Sequence, residues 1–191
     1  YQEAIPRLEE AVARYPDAPQ TIEARYLTVE AYHGLARDAE KLRDADTVES
    51  ARSAHAKQMQ EDLMAALAHL EPLQSLLTRD RANDASPPEK AVLRNCYFSH
   101  GAILYKLGRY DEAIRQYLTA ANTYRNEPES LEALLQVAAC YRELKQPVAA
   151  RGAIAQAKAA LAKIDKQADF LATTNYSRDE WGNVLDRMAI L

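Results

Sequence analysis

The feature that most constrains this 191-residue chain is one spacing that occurs three times. It reads Tyr1-x2-Ala4-x3-Leu8-x2-Ala11, then Tyr110-x2-Ala113-x3-Tyr117-x2-Ala120, then Pro147-x2-Ala150-x3-Ile154-x2-Ala157. Steps of three and four place each set on one face of a helix. Small residues on such a face let a second helix come close, and the large residues fill the groove beside it. Ala113 and Ala150 stand 37 residues apart, the length of one helix–turn–helix unit. A face of this kind is buried only when neighbouring units stack, so the spacing implies a helical repeat.

Each set reads as the second helix of a hairpin, and a first helix stands before two of them. Tyr97-x2-His100-Gly101-x2-Leu104-x2-Leu107-Gly108 precedes Tyr110, and Leu134-x2-Val137-Ala138-x2-Tyr141-x2-Leu144 precedes Ala150. Gly101 inside a helix costs about 1 kcal/mol relative to Ala, so it is expected at a close helix contact. Gly108 is placed to end its helix in the left-handed conformation. After the first set, Tyr15-Pro16-Asp17-Ala18-Pro19 makes a turn, and a helix with Thr28-Val29-x2-Tyr32-x2-Leu35 follows.

Gly101-x2-Leu104-x2-Leu107-Gly108-Arg109-Tyr110-Asp111-Glu112-Ala113-Ile114 resembles a tetratricopeptide repeat, whose pattern is W-x2-L-G-x2-Y, then A-x3-F, then P. Tyr97 stands in the Trp place, His100 in the Leu place and Leu104 in the Tyr place, and Pro128 falls a few residues late. The likeness covers residues 92–160 and 1–36. Tyr15 to Pro19 followed by Glu23-Ala24-Arg25-Tyr26-Leu27 is similar to a subclass of bacterial envelope proteins. That subclass includes the outer-membrane assembly lipoprotein and the periplasmic coordinator of the Tol-Pal system. The implied fold is all-α, a right-handed solenoid of antiparallel helix hairpins with a C-terminal capping helix. The implied compartment is the periplasmic side of a bacterial envelope.

The middle departs from the period. Ala4 and Ala113 lie 109 residues apart, 35 more than two periods of 37 would need. No Gly or Pro occurs between Leu35 and Glu71, which predicts one elongated repeat over about 20–85 rather than two ordinary ones. Asp46-Thr47-Val48-Glu49 reads as a capping box opening a helix with Met59, Leu63, Leu67 and Leu70 on one face, and Pro72 is expected to kink or end it. Arg79 to Ala85 connects to a second capping box, Ser86-Pro87-Pro88-Glu89. Repeats are expected over 1–164 and a capping segment over 165–191, where a third box, Ser177-Arg178-Asp179-Glu180, precedes a stripe of Trp181, Leu185 and Met188. A terminal repeat needs such a helix over its open face. The expected helices are about 1–15, 20–43, 46–78, 87–107, 110–125, 129–144, 147–164 and 178–190.

Composition narrows the chemistry. With 24 basic and 28 acidic residues the net charge is −4, and the basic residues are dispersed without interleaved aromatics, so nucleic acid is not an expected partner. No stretch approaches the roughly 20 apolar residues of a membrane span. Neither a zinc-protease motif, a dinucleotide fingerprint, a phosphate loop nor a serine-nucleophile elbow occurs, and five glycines leave little for phosphate-cradling loops. No enzyme activity, cofactor or metal is expected. His55 and His69 lie about 21 Å apart along one helix, too far to share a metal. His100 reads as a packed histidine, and Cys96 and Cys140 as buried free thiols.

In tetratricopeptide arrays the first helices line a concave groove, so the resemblance implies a partner-binding surface. Mapped here, it holds Tyr26, Glu30 and His33 from one repeat, Asn95, Phe98, Ala102 and Tyr105 from the next, and Leu135, Ala139 and Arg142 from the third. Tyr26, Glu30, His33, Asn95, Phe98, Tyr105 and Arg142 are the expected groove residues, since aromatics and Arg anchor partners. The family's carboxylate clamp of Lys, Asn and Arg is missing from the corresponding places. The implied function is a non-enzymatic protein-interaction scaffold that takes an extended or helical peptide, as a module of a larger protein. The alternative is a spacer or assembly module that packs only against its own flanking domains. Tyr1 in place of Met, and an apolar end at Ala189-Ile190-Leu191, are expected of a segment from a longer chain. On that reading the first helix leaves part of its apolar face open to self-association.

Overall fold

Helix boundaries follow the breakers in the sequence. The computed structural model describes residues 1–79 and 85–190, so most of the Arg79–Ala85 connection lies outside the described residues. Eight α-helices and one short 3₁₀ turn account for the regular structure, and no strand occurs among the described residues. The chain forms two compact units, Tyr1–Leu107 and Gly108–Leu191.

The first unit contains α1 (Ala4–Arg14), α2 (Thr21–Ala45), α3 (Glu49–Arg79) and α4 (Pro87–Lys106). The long α2 packs against all three other helices, and α3 also packs on α4. The expected stripe on α3 extends further than the sequence pattern suggested. Leu63, Leu67, Leu70, Leu73 and Leu77 are all buried, with Ala66 between them, while Met59 is half-buried. Each buried leucine contributes roughly 1.5–3 kcal/mol by leaving water. The helices packed on α3 bury Val29, Ala36 and Ala39 of α2 and Val92, Cys96, Ile103 and Leu104 of α4. One elongated hairpin, α2–α3, therefore fills the middle of the chain.

Of the two outcomes expected at Pro72, an end is excluded: α3 runs through it to Arg79, in keeping with the expected span of 46–78, and Pro72 and Ala68, whose carbonyl the missing N–H would have bonded, both face solvent. One expectation about α3 is corrected. Asp46 does not act as its N-cap. The helix begins only at Glu49, and the Asp46 carboxylate accepts from the Val48 N–H at 3.4 Å, a local turn that follows the end of α2. The second capping box forms as expected, with the Glu89 carboxylate accepting from the Ser86 N–H and hydroxyl at 2.8 Å each. His100 is buried, and its Nδ1 pairs with the Gln74 side-chain oxygen at 2.7 Å.

On α1, Ile5 is buried and Leu8 and Val12 are half-buried, whereas Ala4 and Ala11 are exposed. A close approach that the spacing did not anticipate occurs at Gly34, where a Cβ would fall 2.5 Å from the Tyr1 ring.

The second unit contains α5 (Tyr110–Thr123), α6 (Glu129–Glu143), α7 (Pro147–Lys163), a 3₁₀ turn at Phe170–Ala172 and α8 (Arg178–Ile190). The helix α6 packs against both α5 and α7, and α8 packs on α7. The alanines of the recurring spacing are buried here: Ala113, Ala120 and Ala157 completely, Ala150 nearly so, with Tyr117 buried among them. Between α6 and α7, Lys145 adopts the left-handed conformation at φ 57°, as Gly108 does 37 residues earlier at φ 73°. The Gln146 N–H returns to the Tyr141 carbonyl at 2.8 Å, closing the helix end.

Trp181 and Leu185 are fully buried, as the capping reading requires, and Met188 is half-buried. The Trp181 indole N–H donates to the Thr174 hydroxyl at 3.0 Å, and Tyr176 meets its ring edge-on at 5.2 Å. Arg178 donates to the Leu161 carbonyl at 2.7 Å and the Ile164 carbonyl at 3.0 Å, capping the otherwise unbonded end of α7. The third capping box also forms, with Glu180 accepting from the Ser177 N–H and hydroxyl.

Three stability outcomes follow. Ala113→Leu should overpack its buried site and cost about 1–3 kcal/mol, and Trp181→Ala should cost about 3–5 kcal/mol. Lys145→Gly should raise the melting temperature, because it removes a left-handed side chain worth roughly 1–2 kcal/mol of strain against a smaller loss of chain entropy. Thermal unfolding followed by circular dichroism measures all three.

Candidate functional site

Four of the expected groove residues meet in the first unit, where α2 and α4 lie side by side. The Tyr26 hydroxyl donates to Glu30 Oε1 at 3.1 Å, one helical turn along α2. Ser99, on α4, also donates to Glu30 Oε1, at 3.3 Å, and its Oγ lies 3.0 Å from the Tyr26 hydroxyl. Farther along the same seam, Lys106 of α4 grips both oxygens of Glu40 of α2 at 2.6 and 2.7 Å. These pairings advance together along both helices, so α2 and α4 run in the same direction. Asn95 sits one turn before Ser99, and His33 lies one turn beyond Glu30.

Beside this seam opens a cleft of about 470 Å³ between the start of α2 and the start of α4. Ile22, Leu27, Pro88 and Val92 supply its apolar lining, and Glu23, Tyr26 and Asn95 its polar one. Leu27 is 46% exposed, an unusual position for a large aliphatic side chain. It also lines an adjoining cleft of about 620 Å³ between α1 and α2, together with Tyr1, Arg7, Leu8 and Glu30. Leu27 thus connects two concave surfaces on either side of α2, and Glu30 lines the second of them.

Electrostatics tie the seam together. Burial pushes the Tyr26 phenol far above its ordinary value, and the Glu30 charge pushes in the same direction. Burial likewise raises the Cys96 thiol beneath the seam to about 12. Cys140, in the second unit, is raised to about 11 by the same cause. Both cysteines are free and buried, so their role is packing rather than reactivity. Burial lowers the His33 imidazole, against the pull of the Glu30 carboxylate.

The remaining expected residues stand apart. Phe98 and Tyr105 are half-buried on α4 and do not contribute to the lining of either cleft. Arg142 is exposed on α6 in the second unit. Ser99 and Leu27 were missed by the sequence mapping. Ser99 shares the face of Asn95 at a spacing of four, a signal that was available, whereas the exposure of Leu27 depends on how α1 and α4 flank α2. Among the described residues no helix is long and apolar enough to cross a membrane.

His33 generates a pH prediction. An imidazole whose folded pKa lies below the ordinary 6.5 binds its proton better in the unfolded chain. Its effect on stability is absent above about pH 6.5 and grows as a loss when the pH falls through that value. Ring-proton titration by NMR should give a midpoint below 6.5 for His33, and His33→Gln should make the acid-side loss of stability shallower. Comparison with protein-family models, with curated proteins and with solved structures finds no match for this chain.

Proposed function

We propose that this chain is a tetratricopeptide-like, non-enzymatic interaction module, and that its first unit holds a peptide or extended protein segment along α2 and α4. The 37-residue recurrence of the Ala-x6-Ala faces and the parallel course of α2 and α4, backed by α3, support the repeat reading. One observation carries the binding reading: an apolar cleft whose most exposed large aliphatic residue, Leu27, lies next to an ordered polar seam. Apolar contact supplies affinity in such a cleft, while a few placed polar groups fix the orientation of the guest.

Selection from a displayed peptide library against the immobilised chain, followed by NMR mapping, tests this. Resonances of Ile22, Tyr26, Leu27 and Asn95 should move on binding. Leu27→Asp should weaken the selected peptides by about tenfold or more, the effect of roughly 1.4 kcal/mol, with an unchanged melting curve. Peptides that bind Leu27→Asp as well as the parent would reject the cleft and favour an assembly module that packs only against its own flanking domains.

A further inference from the structure

We infer that the segment held by the first unit presents a Lys or Arg side chain to Glu30, next to an aliphatic or prolyl residue seated on Leu27. This deepens the cleft-binding reading and rests on it. The argument is one of charge complementarity at an apolar surface. Both ionisable groups that line the α2–α4 cleft, other than Tyr26, are acidic: Glu23 at its exposed rim and Glu89, whose carboxylate is already engaged in the Ser86 cap. Among the described residues no cationic side chain lines it. Glu30 itself lines the adjoining α1–α2 cleft, where two carboxylates, Glu3 and Glu30, stand with one cation, Arg7, so that surface is also acidic on balance.

Glu30 differs from the other carboxylates of the seam. Its Oε1 accepts from both Tyr26 and Ser99, which fixes the plane of a half-buried carboxylate. Its Oε2 has no hydrogen bond, and no ion pair reaches Glu30, among the described residues. Glu40, farther along α2, instead has both oxygens on Lys106. Where α4 supplies a lysine to Glu40, it supplies only the Ser99 hydroxyl to Glu30. The next turn offers no firm cation either, because burial lowers the His33 imidazole below its ordinary value and disfavours its charged form. A carboxylate already oriented by two donors loses little freedom when a guanidinium or ammonium joins it, and a charge-assisted bond in a half-buried place is among the stronger polar contacts. Leu27, which lines the clefts on both sides of α2, places the apolar contact beside that charge.

A positional-scanning array of nine-residue peptides, probed with the full chain, tests the inference. Bound peptides should share a Lys or Arg adjacent to Leu, Ile, Val or Pro. Glu30→Gln, with its melting curve as a control, should weaken a selected peptide by about tenfold and abolish the preference for a basic residue. Glu30→Lys should recover binding when Glu replaces the basic residue of the peptide. If exchanging that residue for norleucine, or Glu30 for Gln, leaves affinity unchanged while Leu27→Asp still reduces it, the basic-residue inference fails and the cleft stands. If no peptide on the array binds, or none is sensitive to Leu27→Asp, both fail.

Discussion

The leucine stripe of α3 is the contact on which the first unit depends. Leu63, Leu67, Leu70, Leu73 and Leu77 follow one another at steps of three and four and are all buried. A largely apolar face of that length, with Asp62 as its one buried charged residue among those described, serves two partners at once. It covers α2 along one side and α4 along the other, and so holds those two helices parallel. Without that backing, α2 and α4 would have only their polar seam between them, and exposed hydrogen bonds and ion pairs contribute little alone. The cleft and the Tyr26–Glu30–Ser99 network are consequences of hydrophobic packing on the opposite side of the same helices.

That division explains why the seam is polar. Most of the buried residues of α2 and α4 are aliphatic or small, as at Val29, Ala36, Ile103 and Leu104. Those on the other face, Tyr26, Glu30, Glu40, Ser99 and Lys106, meet one another at the edge of solvent. The two hydroxyls on Glu30 and the Lys106–Glu40 ion pair satisfy most of their polar atoms. Among the described residues Glu30 Oε2 has no hydrogen bond, and elsewhere on α2 the buried Arg25 Nε has none either. Glu30 lines the same cleft as the exposed Leu27.

The second unit reaches the same end with smaller residues. Buried alanines let α5, α6 and α7 approach closely, and large side chains such as Tyr117, Leu131 and Ile154 are buried among them. Closing this unit falls to the last helix. Trp181 fills the space against α7, and Arg178 answers the carbonyls that α7 leaves unbonded at its end. Van der Waals contact and hydrogen bonding thus terminate the helix layer together.

Much of this was legible in the residues themselves. Helix positions follow from Pro, Gly and capping boxes, and their boundaries agree with the pattern within a few residues because those signals act locally. Ser86 with Glu89 and Ser177 with Glu180 cap as read, for the donor and acceptor lie three residues apart. The same local logic misread Asp46, where the chain leaves α2 in an extended conformation and delays the next helix. At Pro72 the helix continues, as the expected span to residue 78 required, since a missing N–H on a solvent-facing turn can be tolerated. Of the candidate site, Tyr26, Glu30, His33 and Asn95 were named through the repeat resemblance, and Ser99 shares the face of Asn95. The pairing of Ser99 with Glu30, 69 residues away, and the role of Leu27 were not legible. Helix periodicity determines which side chains share a face, because that depends on backbone geometry over a few residues. Which faces meet, which oxygen of Glu30 stays open and which leucine remains in water depend on packing between distant segments, and only the tertiary structure decides them.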